Sequence, residues 1–205
     1  MCIRDSHYTW HWFWHYGNGE IGNNGPHATD IANWVMDKGL PVKTSAEGGI
    51  FGYEEDARQT PNTQAVTHTF ADGSMMTIEI RNRYTNSEGG NLILFGTEGH
   101  MYGGKFFDKN GKEIPDDQTP PAVDSTKEHM TNFLEAVKNA DPTAVNATAE
   151  QGHIAAALCH LGNIAYRVGH TITFDPKTER IAGDDEADAL LTRSYREGFE
   201  VPRLA

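Results

Sequence analysis

The sequence predicts an α+β fold, namely a predominantly antiparallel, open β-sheet with helices packed on one face. Two alternating stretches, residues 65–71 and 74–84, flank Asp72-Gly73, a dipeptide that strongly favours a hairpin between antiparallel strands. Two long segments with apolar residues at helical spacing follow the strands, and a shorter one precedes them. A helix, a run of strands and then further helices are typical of this fold class.

The composition is that of a globular protein with a core of its own. The chain has 205 residues and a formal net charge of -12, and its lysines and arginines do not cluster. This charge pattern argues against a surface for nucleic acid or for an anionic membrane. Two cysteines, Cys2 and Cys159, are too few for a disulfide framework.

The first helix is predicted to begin at Pro26, because the missing N–H of proline costs nothing in the first helical turn. Asn24 or Gly25 is the predicted cap, and Gly39 with Pro41 ends the helix. Turn signals divide the next segments into strands. The predicted strands are 41–46, 65–71, 74–84, 91–95 and 100–102, followed by a small hairpin between Phe106 and Ile114. We expect them to form one sheet of roughly five or six strands.

Patterns that start and stop helices define the C-terminal half. The predicted bounds are 125–137, with Ser125 and Glu128 as a capping box; 148–169, with Thr148 and Gln151 as a capping box; and 185–198, with Asp185 as the cap. Residues 115–124 are predicted to be a surface linker, and residues 171–174 a short strand.

The stretch GNGEIGNNGPHATDIANW, residues 17–34, is the predicted functional site. At helical spacing His27 and Asp30 share a face with apolar residues, so we expect this face to turn inward. His27 and Asp30 are then a base and its orienting carboxylate, or a substrate clamp; the alternative is a structural histidine at a helix start. Asn23 and Asn24 supply amides suited to sugar hydroxyls, or they hold the turn.

Other patterns are weaker. Residues 17–22 match G-x-G-x-x-G, but no aliphatic strand precedes them, so a tight turn is favoured over a cofactor loop. His7, His11 and His15 would align on a helix as metal ligands, although the interleaved tryptophans favour an aromatic packing or stacking segment. Cys159 and His160 point in different directions on a helix, which argues against a nucleophile–base pair.

Three segments carry a resemblance to a known family: WFWHYGNGEIGNNGPHATDIANW, GGIFGYEEDARQTPNTQ and GNLILFGTEGHMY. They resemble the C-terminal part of Gfo/Idh/MocA oxidoreductases, which include glucose-fructose oxidoreductase and inositol dehydrogenase. The resemblance covers residues 7–205, which are interpreted as the C-terminal substrate-binding and oligomerisation domain. Residues 1–6, MCIRDS, are interpreted as a non-native junction.

The resemblance implies a two-domain enzyme in which an N-terminal Rossmann domain holds NAD or NADP. The C-terminal domain covers the nicotinamide and binds a sugar, polyol or related carbohydrate. Only this second domain is present, so the chain alone is not expected to transfer hydride. The family pattern D-x-x-x-H places His27 in the catalytic role and puts Asn23 at the acidic position. Since an amide cannot raise the basicity of a histidine as a carboxylate does, either Asp30 substitutes or the chemistry differs from simple alcohol oxidation.

Further expectations follow from the same resemblance. The substrate-binding candidates are Asn23, Asn24, Asp30, Tyr16, Arg58 and Gln59. An NAD-dependent glycoside hydrolase and a non-catalytic carbohydrate-binding or assembly module remain the alternative functions. The family sheet commonly pairs with a second subunit through its open face, and the alternating strands within 67–84 would allow this pairing. The full-length protein is therefore expected to be a homodimer or a tetramer.

Overall fold

The computed structural model describes residues 9–52, 55–82, 92–115 and 124–201. The chain forms two compact units: unit 1 comprises Met1–Tyr84 and His153–Ala205, and unit 2 comprises Thr85–Gly152. The interpreted junction at residues 1–6 lies outside the described residues, as does most of the predicted linker.

The described residues contain five α-helices and nine strands, after a short 3-10 helix at Trp10–Trp12. The helices are α1 (Gly19–Asn23), α2 (Gly25–Met36), α3 (Ser125–Lys138), α4 (Ala149–Val168) and α5 (Asp185–Ala189). The strands are β1 (Lys43–Gly49), β2 (Thr63–Thr69), β3 (Met75–Arg81), β4 (Ile93–Phe95), β5 (Gly99–Tyr102), β6 (Lys105–Asp108), β7 (Glu113–Ile114), β8 (Ile172–Asp175) and β9 (Arg180–Ile181).

Unit 1 is built on a five-stranded antiparallel sheet in the order β3-β2-β1-β8-β9. The hairpin predicted at Asp72-Gly73 is confirmed: Thr69 pairs with Met75, and Gly73 has the positive φ of 85° that its turn requires. In β2, Gln64, Val66 and His68 alternate inward, so one face of the sheet is buried.

Helix α4 covers the buried face of this sheet. A Cβ on Gly162 would lie only 2.8 Å from Val66 Cγ2, and Gln64 Nε2 donates a hydrogen bond to the Gly162 carbonyl at 3.3 Å. Helix α2 lies beside α4, where Thr29 Oγ1 donates to the Ala155 carbonyl at 3.0 Å. The predicted arrangement of helices on one face of an antiparallel sheet is therefore confirmed.

The prediction of one sheet was wrong. Unit 2 contains a separate four-stranded antiparallel sheet in the order β4-β5-β6-β7, together with α3. Local hairpin signals identify which strands are neighbours along the chain, but they do not specify to which sheet a hairpin belongs. The small hairpin between Phe106 and Ile114 is confirmed within this second sheet.

Except for the last helix, the helix ends differ from the predictions by a few residues, as is usual at frayed termini. Asp124, not Ser125, caps α3 by accepting from the Lys127 amide, whereas the capping box of Thr148 with Gln151 is confirmed. The last helix, α5, is capped by Asp184 and is much shorter than predicted. No helix among the described residues is long and apolar enough to span a bilayer.

Candidate functional site

His27 lies in the first turn of α2 and is exposed. The prediction that its face turns inward was wrong, since Ile31 and Trp34 are 50% and 74% exposed and Asp30 is exposed as well. The buried residues of α2 are Gly25, Thr29 and Ala32. Small residues allow α2 to approach α4 closely, which leaves the larger apolar side chains on the outer face.

The contact between α2 and α4 explains this orientation. A Cβ on Gly25 would lie 2.9 Å from Cys159 Sγ, and Thr29 Oγ1 is 3.8 Å from the same sulfur. Burial raises the pKa of the Cys159 thiol to about 11. The thiol is therefore neutral near pH 7 and packs as a small apolar group, as the sequence predicted.

The polar residues around His27 are not joined into a hydrogen-bonded triad. Within the part of the chain that the structure describes, the side chains of His27, Asp30 and Asn23 make no hydrogen bond. Asn24 donates through Nδ2 to the buried carboxylate of Glu20, which holds the junction between α1 and α2. Asn23, His27 and Asp30 therefore form an exposed polar surface that is available to a ligand.

The G-x-G-x-x-G stretch packs against the protein's own atoms. A Cβ on Gly17 would collide with the His11 backbone, and a Cβ on Gly22 would collide with the Asn18 side chain. Gly19 has a φ of 73° and begins α1 within the motif. A dinucleotide cradle instead needs a strand before the motif and free backbone amides, so this stretch does not fit NAD or NADP.

Two further predicted residues fix the loop that precedes β2. Arg58 is 6% exposed, forms an ion pair with Asp56 at 3.0 Å, and stacks 4.3 Å from the centre of the Trp12 ring. Gln59 accepts a hydrogen bond from the Trp14 amide at 3.0 Å. These contacts favour a positioning role for Arg58 over direct contact with a substrate.

A cavity of about 620 Å³ in unit 1, which we call the α4 cavity, contains one other predicted residue, Tyr16. It is bounded by the aromatic segment 10–18, one face of α4 and the segment 190–195. Its principal polar and aromatic lining residues are Trp10, Trp14, Tyr16, Asn18, His153, His160, Asn163, Arg167, Glu179, Arg193 and Tyr195. Gly17 and Asn18, at the start of the predicted site, also line it, whereas His27 and the other substrate-binding candidates do not.

Sequence reasoning missed most of this cavity. Asn18 Nδ2 lies 3.5 Å from His160 Nδ1, and Asn163 Nδ2 donates to the Asn18 carbonyl at 2.7 Å. The exclusion of water by surrounding protein, followed by the nearby charges of Arg193 and His153, lowers the pKa of His160. The polar residues spaced along α4 were the sequence signal that could have identified the cavity. The lining residues from segment 190–195 were instead predicted to lie in the last helix, which ends at Ala189.

The histidines His7, His11 and His15, for which the sequence favoured an aromatic segment over a metal site, are only partly described, because His7 lies outside the described residues. Burial lowers the pKa of His11, and its ring contacts the Trp10 and Trp12 rings. Among the residues with described positions, no group of three potential ligands could hold a metal ion.

Comparison with known proteins places this architecture in a family. Residues 3–201 match the family model described as "Oxidoreductase family, C-terminal alpha/beta domain", of Gfo/Idh/MocA type. A search of curated proteins found no match.

Solved structures share the fold at low sequence identity. An aldose-aldose oxidoreductase from Caulobacter crescentus, crystallised with glycerol, has a TM-score of 0.63 and 13% identity over 84% of this chain and 52% of its own. The WlbA dehydrogenase from Bordetella pertussis, in complex with NADH and UDP-GlcNAcA, has a TM-score of 0.60 and 16% identity over 85% and 53%. A myo-inositol dehydrogenase from Corynebacterium glutamicum has a TM-score of 0.55 and 19% identity over 78% and 51%.

The chain thus spans about half the length of these solved structures. Its family match covers both units and includes the α2 surface that bears His27. The chain belongs to the Gfo/Idh/MocA oxidoreductase family, and it corresponds to the C-terminal α/β domain of that family.

Proposed function

We propose that this chain is the substrate-binding half of an NAD(P)-dependent oxidoreductase that acts on a hydroxyl group of a sugar, a polyol or a related carbohydrate. The observation that carries the proposal is the exposed face of α2, where His27 and Asp30 lie among uncovered apolar side chains. An exposed Trp34 beside two polar groups is typical of a surface that another domain or a ligand covers.

His27 is the proton acceptor in this proposal. A neutral imidazole takes the hydroxyl proton as the adjacent carbon is oxidised, and it returns the proton in the reverse direction. When bound, the nicotinamide supplies the acceptor for the two electrons. Asn23, which is exposed at the end of α1, and Asp30, which is exposed one turn after His27, hydrogen-bond neighbouring hydroxyls of the carbohydrate.

The cofactor is held by polypeptide other than these residues in this proposal. The glycine stretch at residues 17–22 is filled by its own neighbours, and solved structures that share this fold are about twice as long as this chain. We therefore expect the 205-residue chain to bind carbohydrate without catalysing its oxidation. Longer proteins with this fold have been crystallised with NAD+ or with NADH.

The test measures oxidation of a panel of sugars and polyols with NAD and NADP, using the longest polypeptide that the gene encodes. His27→Ala should lower kcat by roughly 10² to 10⁴, because it removes the proton acceptor, while cofactor binding is retained. The matched control is His170→Ala, which removes another exposed histidine, one that pairs with Asp184 at 2.6 Å. That control should keep its turnover.

The other outcomes separate the alternatives. Equal turnover in wild type and His27→Ala would reject the catalytic role of His27. Carbohydrate binding without turnover by any variant would favour a non-catalytic module. Cleavage of a glycoside that requires NAD would favour the glycoside hydrolase.

A further inference from the structure

The α4 cavity is a candidate ligand-binding site in unit 1, in addition to the exposed polar surface around His27. Its volume of about 620 Å³ lies within the range of about 300 to 1,000 Å³ found for small-molecule sites. Aromatic side chains form one wall, and polar side chains from α4 and from segment 190–195 form the others.

The cavity is distinct from the surface around His27. Ala155 and Cys159 of α4 contact Thr29 of α2, whereas His153 and His160 of α4 line the cavity. His27 lies on the face of α2 that is turned away from this contact. A ligand in the cavity therefore occupies another face of α4.

Charge favours an anionic ligand in this cavity. The guanidinium groups of Arg167 and Arg193 line it, and neither forms an ion pair with a carboxylate within the described ranges. The carboxylate that lines it, Glu179, already pairs with His153 Nε2 at 3.0 Å. Arg193 donates one bond to the His15 carbonyl at 3.3 Å and retains further N–H donors.

The remaining lining residues favour a sugar ring. Trp10 and Tyr16 are 48% and 57% exposed, so their faces are available for stacking on the apolar side of a ring. Arg167 lies 5.1 Å from the centre of the Trp14 ring, which holds its guanidinium beside this aromatic wall. Asn163 is 4% exposed and its Oδ1 accepts no hydrogen bond from the described residues.

We propose that the α4 cavity binds a monosaccharide that carries one carboxylate or phosphate group, at a site separate from His27. Arg193 and Arg167 bind the anionic group through charge-assisted hydrogen bonds, and Trp10 with Tyr16 stacks on the ring. This inference does not depend on the proposed oxidoreductase activity, because it requires neither a cofactor nor turnover.

The test is an NMR titration of the 205-residue chain with D-glucuronate, D-glucose 6-phosphate and neutral D-glucose. The indole N–H signals of Trp10 and Trp14 should shift in a saturable manner. Any shift of the Trp34 signal reports the separate α2 surface and should follow its own binding curve. At least one anionic sugar should bind about tenfold more tightly than glucose, since a hydrogen bond to a charged group is worth roughly 1.4 kcal/mol or more. Comparison of glucuronate with glucose 6-phosphate identifies which anionic group is preferred.

Variants locate the ligand. Arg193→Gln should weaken binding of the preferred sugar about tenfold. The matched control is Arg81→Gln, which removes an exposed arginine at the end of β3 and should leave the affinity unchanged. Trp10→Ala should also weaken binding, and because Trp10 is half exposed this variant is expected to fold.

Three results would overturn the proposal. Glucose could bind as tightly as both anionic sugars, or none of the three could give saturable shifts at millimolar concentration. Saturable shifts confined to the Trp34 signal, with the affinity unchanged by Arg193→Gln, would place the sugar on α2 instead. That last result would leave the proposed oxidoreductase intact, and failure of turnover would leave the cavity proposal intact.

Discussion

His68 is the buried titratable residue whose environment most clearly affects stability. It is fully buried in β2, and its Nδ1 lies 2.8 Å from Thr44 Oγ1. Burial lowers the pKa of His68 from 6.5 to about 4, which outweighs the opposing effect of the Leu158 backbone. The imidazole is therefore neutral in the folded protein near pH 7.

We predict that His68 destabilises the protein as pH falls. Between pH 6.5 and about 4 the unfolded chain binds a proton at His68 and the folded chain does not. Stability is therefore complete above pH 6.5 and is lost as pH falls towards 4, by about 3 kcal/mol in total. Denaturant unfolding of wild type and His68→Gln across this window measures the difference in slope.

Controls keep this prediction specific. His160→Gln removes a second histidine whose pKa is lowered, and it should retain the contribution of His68. Identical pH slopes for wild type and His68→Gln would contradict the prediction. If His68→Gln does not fold, NMR titration of the His68 ring in wild type tests the same prediction. A measured pKa near 6.5 for His68 would refute it.

Residue-level features of the site were only partly predictable. His27 was identified from a family pattern and from its place in the first turn of a helix, but its orientation was not. Large apolar residues normally mark the buried face of a helix. In α2 the buried face instead carries Gly25 and Thr29, because a close contact with α4 requires small residues. The need for a small residue at Gly25 comes from its contact with Cys159, which is distant in sequence, so the sequence of α2 alone does not reveal it.

Helix α4 offers a matched test of packing at the level of an element. Gly162 lies against Val66 with space for no Cβ, whereas a Cβ on Gly152 of the same helix would meet no atom within 4 Å. Gly162→Ala should destabilise the protein by about 1 to 3 kcal/mol through overpacking. Gly152→Ala should stabilise it by about 0.5 to 1 kcal/mol through helix propensity.

Thermal or denaturant unfolding of both variants measures these opposite effects. The same substitution in one helix controls for propensity, so the difference reports the contact with the sheet. Equal stabilisation by both substitutions would show that α4 does not pack on β2 through Gly162.

Elements were predicted well where local chemistry determines them. The Asp72-Gly73 turn, the capping box at Thr148 and the proline at the start of α2 each act within a few residues. The last helix was overextended because Leu190, Leu191 and Tyr195 fit helical spacing, although the helix ends at Ala189 and these residues line the α4 cavity instead. The C-terminal end of α5 is therefore determined by tertiary contacts, which local periodicity does not report.

At the level of the whole molecule, the antiparallel pattern was predictable and the division of strands between two sheets was not. Each hairpin is determined by its own turn, whereas the pairing of β1 with the distant β8 depends on contacts far apart in sequence. The same limit applies to the α4 cavity, whose walls come from three separated segments.

The open face of the unit 1 sheet is the surface we propose for subunit pairing. Met75 is 61% exposed, Thr77 and Ala65 are exposed, and the Thr67 and Thr77 hydroxyls lie 3.5 Å apart across β2 and β3. We predict that the full-length wild type is a dimer or tetramer and that Thr77→Arg lowers its molar mass to that of a monomer, because the new charge would be buried without a partner.

Size-exclusion chromatography with light scattering measures this change. Lys177→Glu, an exposed charge change in the turn between β8 and β9, is the control and should keep the wild-type mass. A monomeric wild type, or an unchanged mass for Thr77→Arg, would contradict subunit pairing through this face.

The most direct test of the central claim is chemical rescue of His27→Ala by added imidazole. The measurement is cofactor-dependent oxidation of the best sugar or polyol by the longest polypeptide that the gene encodes, with and without imidazole. If His27 accepts the hydroxyl proton, free imidazole should restore part of the lost turnover in His27→Ala and have no such effect on wild type. Wild-type turnover in His27→Ala without imidazole would contradict the account, and α2 would then pack or bind without taking part in the chemistry.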